Sequence, residues 1–316
     1  MMRLWLGRVA AGVALFALPG CAGGQAARTS TTPAVYQRAD TAALHRTLDS
    51  LAVRHHGVVG YVVHNLDTGE RLELRPNETF STASLIKVSI LVTVYGLVEQ
   101  GMLALDDPLT VLKIDKVPGS GILQFMHDNS TITVHDAAWL MTTISDNTAT
   151  NLLLDRIIIR RVWDAMEKLG LMHTKVHSKS FLRNASVAMD SSVKYGLGVT
   201  TPSEMARLFA LLSEGKAVSP KADSTMLDIL AHNEDFDDVQ RFVEGLNVPH
   251  KTGSTDKVRT ECGLFPLQSR IAYCVLTKEN ADERYVIDNE AHVMMAHMGK
   301  AIVAAWPRRA PRAPAQ

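Results

Sequence analysis

Three short segments carry side chains able to run acyl transfer. Ser84-Leu85-Ile86-Lys87 sets a hydroxyl and an amine three residues apart, which at a helix start puts both on one face within mutual reach. A lysine held neutral there by desolvation and nearby positive charge can take the serine proton and create a nucleophile. The spacing alone is common, recurring at Ser191/Lys194, Ser213/Lys216 and Ser254/Lys257. Context favours Ser84, because Phe80 precedes it and the apolar run 85–97 would bury the lysine stem. Ser145-Asp146-Asn147 offers a serine that can relay a proton to a leaving nitrogen and an asparagine that can hold a carbonyl or the lysine. Lys251-Thr252-Gly253-Ser254 offers a cation for a carboxylate, and a glycine that lets a substrate backbone approach a strand edge. Arg259, downstream of it, is a candidate second cation for that carboxylate.

Positioning these groups takes a sheet and a helical block. Leu44, Leu48 and Leu51 recur at helical spacing, after which 58–66 and 71–74 read as strands joined at Asp67-Thr68-Gly69. Those three letters also occur in aspartic proteases, where two such carboxylates must share a proton. With only one copy here, they read as a hairpin turn. Segments 85–103, 135–154, 158–169 and 201–212 are helical in period, the last with Thr201 as cap and Pro202 in its first turn. The polar stretch 173–199 has no clear period and is the best candidate for a functional loop. Strands are expected at 249–252, 260–266 and 270–277, and a helix at 289–306. Strands near both ends of the chain most simply join one antiparallel sheet flanked by helices, with an inserted all-helical lobe, an α+β architecture.

Composition mainly excludes. The 316 residues are 46% hydrophobic and 21% charged, with 33 basic and 33 acidic side chains, so no global positive field exists to hold nucleic acid. Twelve histidines include no HExxH, and no metal site is expected. The first twenty residues carry Arg3 and Arg8 ahead of an apolar run ending in Leu18-Pro19-Gly20-Cys21, which reads as an export signal with a lipobox. Cleavage before Cys21 would leave a lipid-modified cysteine, a Gly-, Ala-, Ser- and Thr-rich tether over 21–35, and a slightly acidic periplasmic protein. The domain proper is expected over 36–306, followed by a loose tail at 307–316. Cys262 and Cys274 lie about equally far from a turn near Gln268, and we expect two buried free thiols.

The order of the three motifs resembles the signature of the serine penicillin-recognising enzymes, most closely the class A β-lactamases and class A-like serine hydrolases. The resemblance runs over roughly 44–306 and extends through Phe80, residues 118–123, residues 145–154 and Thr200-Thr201-Pro202. It implies that Ser84 is the acylated nucleophile, Lys87 a general base, Ser145 a proton relay, and Asn147 a partner of substrate and lysine. Lys251 and Thr252 would receive the substrate carboxylate, and the backbone N–H groups of Ser84 and Ser254 would form the oxyanion hole. No cofactor is implied, and the protein is expected to be a monomer. The departure is in the loop: class A enzymes carry a Glu-x-x-Leu-Asn motif whose glutamate activates the deacylating water, whereas between Glu167 and Glu204 the only acid is Asp190. Asp190 does not fall at the family's position and reads as a surface residue. Three activities stay open: a β-lactamase with slow turnover or another base, a peptidoglycan D-Ala-D-Ala peptidase or esterase, and a non-turning-over binder of β-lactams or wall peptides.

Overall fold

Six of the α-helices among the described residues, the first, third and fourth and the last three in the chain, begin at a side chain that accepts from their free N–H groups. In the computed structural model, which describes residue 36 and residues 38–308, Asp40 accepts from Ala43 N–H to open α1 (Thr41–Arg54). The export segment 1–20, Cys21, the tether 21–35 and the tail from 309 lie outside the described residues. β1 (Val58–Asn65) and β2 (Arg71–Leu74) pair antiparallel around the Asp67–Gly69 turn, as expected. There Asp67 is spent on a salt bridge of 2.7 Å to Arg270. After β3 (Phe80–Ser81), a 3-10 turn over Ala83–Ile86 leads into α2 (Lys87–Glu99). β4 (Pro108–Val111) and β5 (Ser130–Thr133) form a ribbon that delivers α3 (Val134–Thr143), capped by Thr133 and Asp136 reciprocally.

α4 (Asn147–Ile157) and α5 (Ile159–Lys168) follow. The polar segment then forms β6 (Lys175–Val176), α6 (Met189–Tyr195) and β7 (Gly198–Thr200), with β3, β7 and β6 making a three-stranded sheet. α7 (Pro202–Ser213) starts at the Thr201 cap with Pro202 in its first turn, as read from sequence. α8 (Pro220–Leu230) was not foreseen, although Ser219-Pro220 is the same cap-and-proline signal. β8 (His250–Thr255), β9 (Val258–Pro266), β10 (Arg270–Lys278) and α9 (Glu290–Ala305) complete the chain.

The main sheet is antiparallel in the order β2-β1-β10-β9-β8, so strands from both ends of the chain do share one sheet, with β8 at its edge. One face buries Tyr61, Val63, Phe265 and Tyr273 against Leu48 of α1 and Met298 of α9. The other buries Val62, Leu264 and Leu276 in the core formed with α2, α3, α4, α5, α7 and α8. α2 is apolar around nearly its whole circumference, as a helix enclosed on all sides must be.

Two expectations are corrected. The helix foreseen at 135–154 is two helices, separated at Ile144–Asp146, where Ser145 takes φ 58°. Cys262 and Cys274 are not free thiols but are joined in a disulfide. Their residues are direct cross-strand partners in the β9/β10 register, with Cα atoms 4.0 Å apart and both side chains on the helical-lobe face. Equal distance from the turn allows the two to face each other but does not fix the register that makes them direct partners.

Candidate active site

Ser84 is carried by the 3-10 turn, and Lys87, three residues on, is the first residue of α2, where the turn passes into the helix. Ser84 is half-buried at the wall of a cleft of about 630 Å3, whereas Lys87 is 1% exposed. Ala83, just before the nucleophile, sits at φ 46°, a left-handed conformation that costs a non-glycine residue energy and marks a backbone held for function. Lys87 Nζ lies 2.7 Å from the Ser145 carbonyl oxygen, 2.9 Å from Asn147 Oδ1 and 3.1 Å from Ser145 Oγ. Burial holds this amine well below the usual lysine range, the Lys251 ammonium adds to that, and the Asp146 carboxylate opposes it.

Asp146, the middle residue of its motif, does structural work. Its Oδ1 accepts from Ala149 N–H at 2.8 Å to cap α4, and Oδ2 accepts from the N–H groups of Ile122 (2.7 Å) and Leu123 (2.9 Å). It thereby staples the 118–123 loop to the start of α4. Asn147 donates from Nδ2 to the Pro118 carbonyl at 3.2 Å, which leaves Oδ1 for Lys87. Gly121 is at φ 102°, and a Cβ there would meet Asp146 Cγ at 2.2 Å, so glycine is required for the loop to reach its staple.

β8 presents the third motif. Its two-residue turn closes on the Thr255/Val258 pair, so by antiparallel alternation Lys251, Gly253 and Thr255 exchange hydrogen bonds with β9. The Thr252 and Ser254 N–H groups then point outward from the sheet edge, Ser254 beside the cleft that it lines. Gly253 packs against the nucleophile turn so closely that a Cβ would lie 2.7 Å from Ser84 N. Thr260 Oγ1 donates to the carbonyls of Thr82 (3.0 Å) and Gly253 (3.1 Å), pinning strand and turn together. Turn and strand edge are thus in direct contact, and Ser84 and Ser254 line the same cleft.

Lys251 is 1% exposed, and its Nζ donates to the Thr252 carbonyl at 3.1 Å. Burial brings it down to about 8, against the pull of Asp235, Glu261 and Asp238. Glu261 behind it is pushed up to about 8 by burial and by Asp238, so it is mostly protonated at neutral pH. Thr252 lies on the opposite face of β8, where its hydroxyl donates to Asp235 Oδ2 at 2.7 Å. Arg259, the candidate second cation, is fully buried and does not line the cleft. Its guanidinium donates to the carbonyls of Thr255, Val258 (2.8 Å) and Arg284 (2.9 Å), and Nε donates to His292 Nε2 at 3.2 Å. His292 Nδ1 in turn lies 2.5 Å from Asp238 Oδ1. The arginine stacks 4.8 Å from the ring centre of Tyr285, a cleft residue that belongs to none of the three motifs and was not singled out from sequence.

The far wall of the cleft is the segment foreseen as a functional loop. Ser178, Lys179, Ser180 and Phe181 line it, and Asn151 clasps Ser180 from both sides, accepting from its N–H at 2.8 Å and donating to its carbonyl at 3.0 Å. Lys179 and Arg183 are the charged side chains of the lining, and no carboxylate is among them. Asp190 is exposed on α6 and outside the cleft, as its surface reading expected. His250 is buried on the Thr252 side of β8, its Nδ1 2.8 Å from the Val248 carbonyl and its Nε2 2.9 Å from that of Asp235.

This arrangement of strand, turn and helix recurs in known proteins. The β-lactamase of Sphaerobacter thermophilus DSM 20745 is 27% identical, with a TM-score of 0.74 over 84% of this chain and 97% of that one. The ancestral class A β-lactamase of Gram-negative bacteria is 25% identical, with a TM-score of 0.73 over 83% of this chain and 100% of that one. PBP-A, 24% identical over 86% and 98% of the two chains with a TM-score of 0.73, shares the fold. A comparison with curated protein sequences finds no match. At family level, residues 43–306 match the Beta-lactamase enzyme family, which covers the whole sheet, the helical lobe and all three motifs, and the chain belongs to that family.

Proposed function

We propose that this protein is an exported serine hydrolase in which Ser84 is acylated by β-lactams or related amides, with release of the acyl group slower than its formation. The observation that carries the reading is the surrounding of Lys87. As a neutral amine it has a lone pair for the Ser84 proton, and the three N–H bonds it then holds match the three oxygens of Ser145 and Asn147 around it. The site is thus most complementary to the charge that forms during reaction.

Ser84 Oγ bonds to the carbonyl carbon as its proton passes to Lys87 Nζ. The carbonyl π electrons move to oxygen, where the Ser84 and Ser254 N–H groups receive the charge. The C–N bond then breaks as Lys87 returns a proton through Ser145 Oγ to the leaving nitrogen, giving an ester on Ser84 and a free amine. Water must add to that ester to restore Ser84. A cleft lined by Lys179 and Arg183 without a carboxylate favours a long-lived ester, and this favours, as a second reading, a wall-peptide peptidase or a β-lactam binder on the same scaffold. The β-lactamase name of the Sphaerobacter relative supports the first.

Intact-mass measurement during exposure to benzylpenicillin tests the proposal. An adduct that rises and decays with product supports a lactamase, and one that persists supports the second reading. Absence of any adduct on Ser84 overturns both. Cys21, by its lipobox, is proposed as a lipid anchor holding the protein in the periplasm, and labelled palmitate should enter the wild type but not Cys21→Ser.

A pH dependence follows from the two lysines. Lys251 is an ammonium below about pH 8 and an amine above it, so acylation by an anionic penicillin should fall as pH rises through that value. At low pH the same reaction should fall as Lys87 takes a proton and ceases to be a base. An uncharged ester substrate should keep the acidic limb and lose most of the alkaline one. Identical profiles for the two substrates would remove Lys251 from charge recognition.

A further inference from the structure

We propose that Asp235 is a specificity-determining residue that fills, from within the protein, the place a substrate carboxylate would take beside Thr252, so that this cleft favours acyl substrates uncharged or cationic at that end. The inference rests on the acylation reading above and narrows its substrate class.

Two observations converge on it. The Thr252 hydroxyl, assigned by resemblance to a substrate carboxylate, already donates to the carboxylate of Asp235 at 2.7 Å. Arg259, the candidate second cation, has its guanidinium engaged by three carbonyl groups and His292. The surface around this end of β8 is acidic, since Glu234, Asp235 and Asp237 are all exposed. An entering carboxylate would thus lose its hydroxyl donor to a resident anion, whereas the exposed Glu234 and Asp237, which do not reach Thr252, are screened by solvent.

The resident carboxylate is held in place rather than draped over the site. Asp235 N–H donates to Asn233 Oδ1 at 2.9 Å, its carbonyl lies 2.9 Å from His250 Nε2, and its Oδ1 accepts from Asp237 N–H at 3.3 Å. Asn233 donates to the Thr142 carbonyl at 3.2 Å and Glu234 N–H to that of Thr143 at 3.0 Å, which ties the loop to the end of α3 just before Ser145. Displacing Asp235 therefore means breaking a bond to a preorganised acceptor, a cost that an uncharged substrate avoids. Asp235 also helps keep Lys251 protonated, together with Glu261 and Asp238 and against burial. Lys87, the other titratable amine near Lys251, is held toward its neutral form by burial and by the Lys251 charge.

The test compares acylation of Ser84 by benzylpenicillin and by its methyl ester, read as intact mass against time, in the wild type, Asp235→Asn and Asp237→Asn. The wild type should react faster with the ester. Asp235→Asn should accelerate the free acid about tenfold or more while leaving the ester within about twofold, and should move the alkaline limb for the free acid to lower pH. Asp237→Asn changes net charge equally without touching Thr252, and should leave both rates within about twofold. If the wild type takes the acid as readily as the ester, or if Asp237→Asn matches Asp235→Asn, the inference is overturned while acylation stands. No adduct with either compound in any of the three proteins overturns the acylation reading, and the inference with it.

Discussion

Lys87→Met is expected to slow acylation of Ser84 by about 10^2 to 10^4, the range that a positioned general base contributes, while Ser84→Ala yields no adduct at all. The size follows from where the lysine sits. Lys87 is 1% exposed, so bulk water cannot stand in as proton acceptor, and among the described residues its Nζ hydrogen-bonds to oxygens of Ser145 and Asn147. Lys87→Arg should not rescue the rate although it restores the charge, because a guanidinium stays protonated and cannot accept from serine. Methionine nearly matches the lysine stem in volume and removes the cost of burying an amine, so thermal stability should hold or rise. Time-resolved intact mass beside calorimetry separates the two effects. Acylation by Lys87→Arg at near the wild-type rate would show that charge, and not basicity, is what the site uses.

The residues behind that expectation were legible because each carries its chemistry in its type. Ser84, Lys87, Ser145, Asn147 and Lys251 were singled out from three tripeptide-scale patterns, and the fold brings all five around one turn and one strand edge. Caps were legible too: Thr201-Pro202 opens α7 where expected. Four things were not, and for different reasons. The break between α3 and α4 depends on φ 58° at Ser145, a conformation any sequence method assigns to glycine or asparagine first. The Cys262–Cys274 bond depends on register parity, which equal spacing about a turn does not fix. The role of Arg259 depends on partners far along the chain, His292 and the Arg284 carbonyl, that no local pattern announces. Asp235 belongs to a visible acidic run, Glu234-Asp235-Phe236-Asp237-Asp238, yet nothing in the run says which carboxylate will reach Thr252.

Gly253→Ala is the second change with a large expected effect, and it tests the geometry rather than the chemistry. A Cβ at Gly253 would lie 2.5 Å from the Thr82 carbonyl oxygen and 2.7 Å from the backbone nitrogens of both Ser84 and Leu85. These are main-chain atoms with no rotamer to relieve the clash, so either the turn or the strand has to move. The turn runs into α2, which is enclosed on all sides, whereas β8 is the sheet edge and is held by one neighbour. The strand should yield, carrying the Ser254 N–H away from Ser84 and stretching the Thr260 bonds that bridge Thr82 and Gly253. Losing the alignment of one oxyanion donor costs about 10^2 to 10^3 in rate, and acylation should fall by that much. The stability cost should be that of an overpacked contact, about 1–3 kcal/mol, so the variant stays folded. Gly69→Ala is the control: its φ of 77° makes the change strained, but nothing lies within 4 Å of the added carbon, so only stability should suffer. If Gly253→Ala acylates at the wild-type rate, β8 does not supply the oxyanion donor and the amide of Ser84 must find another partner.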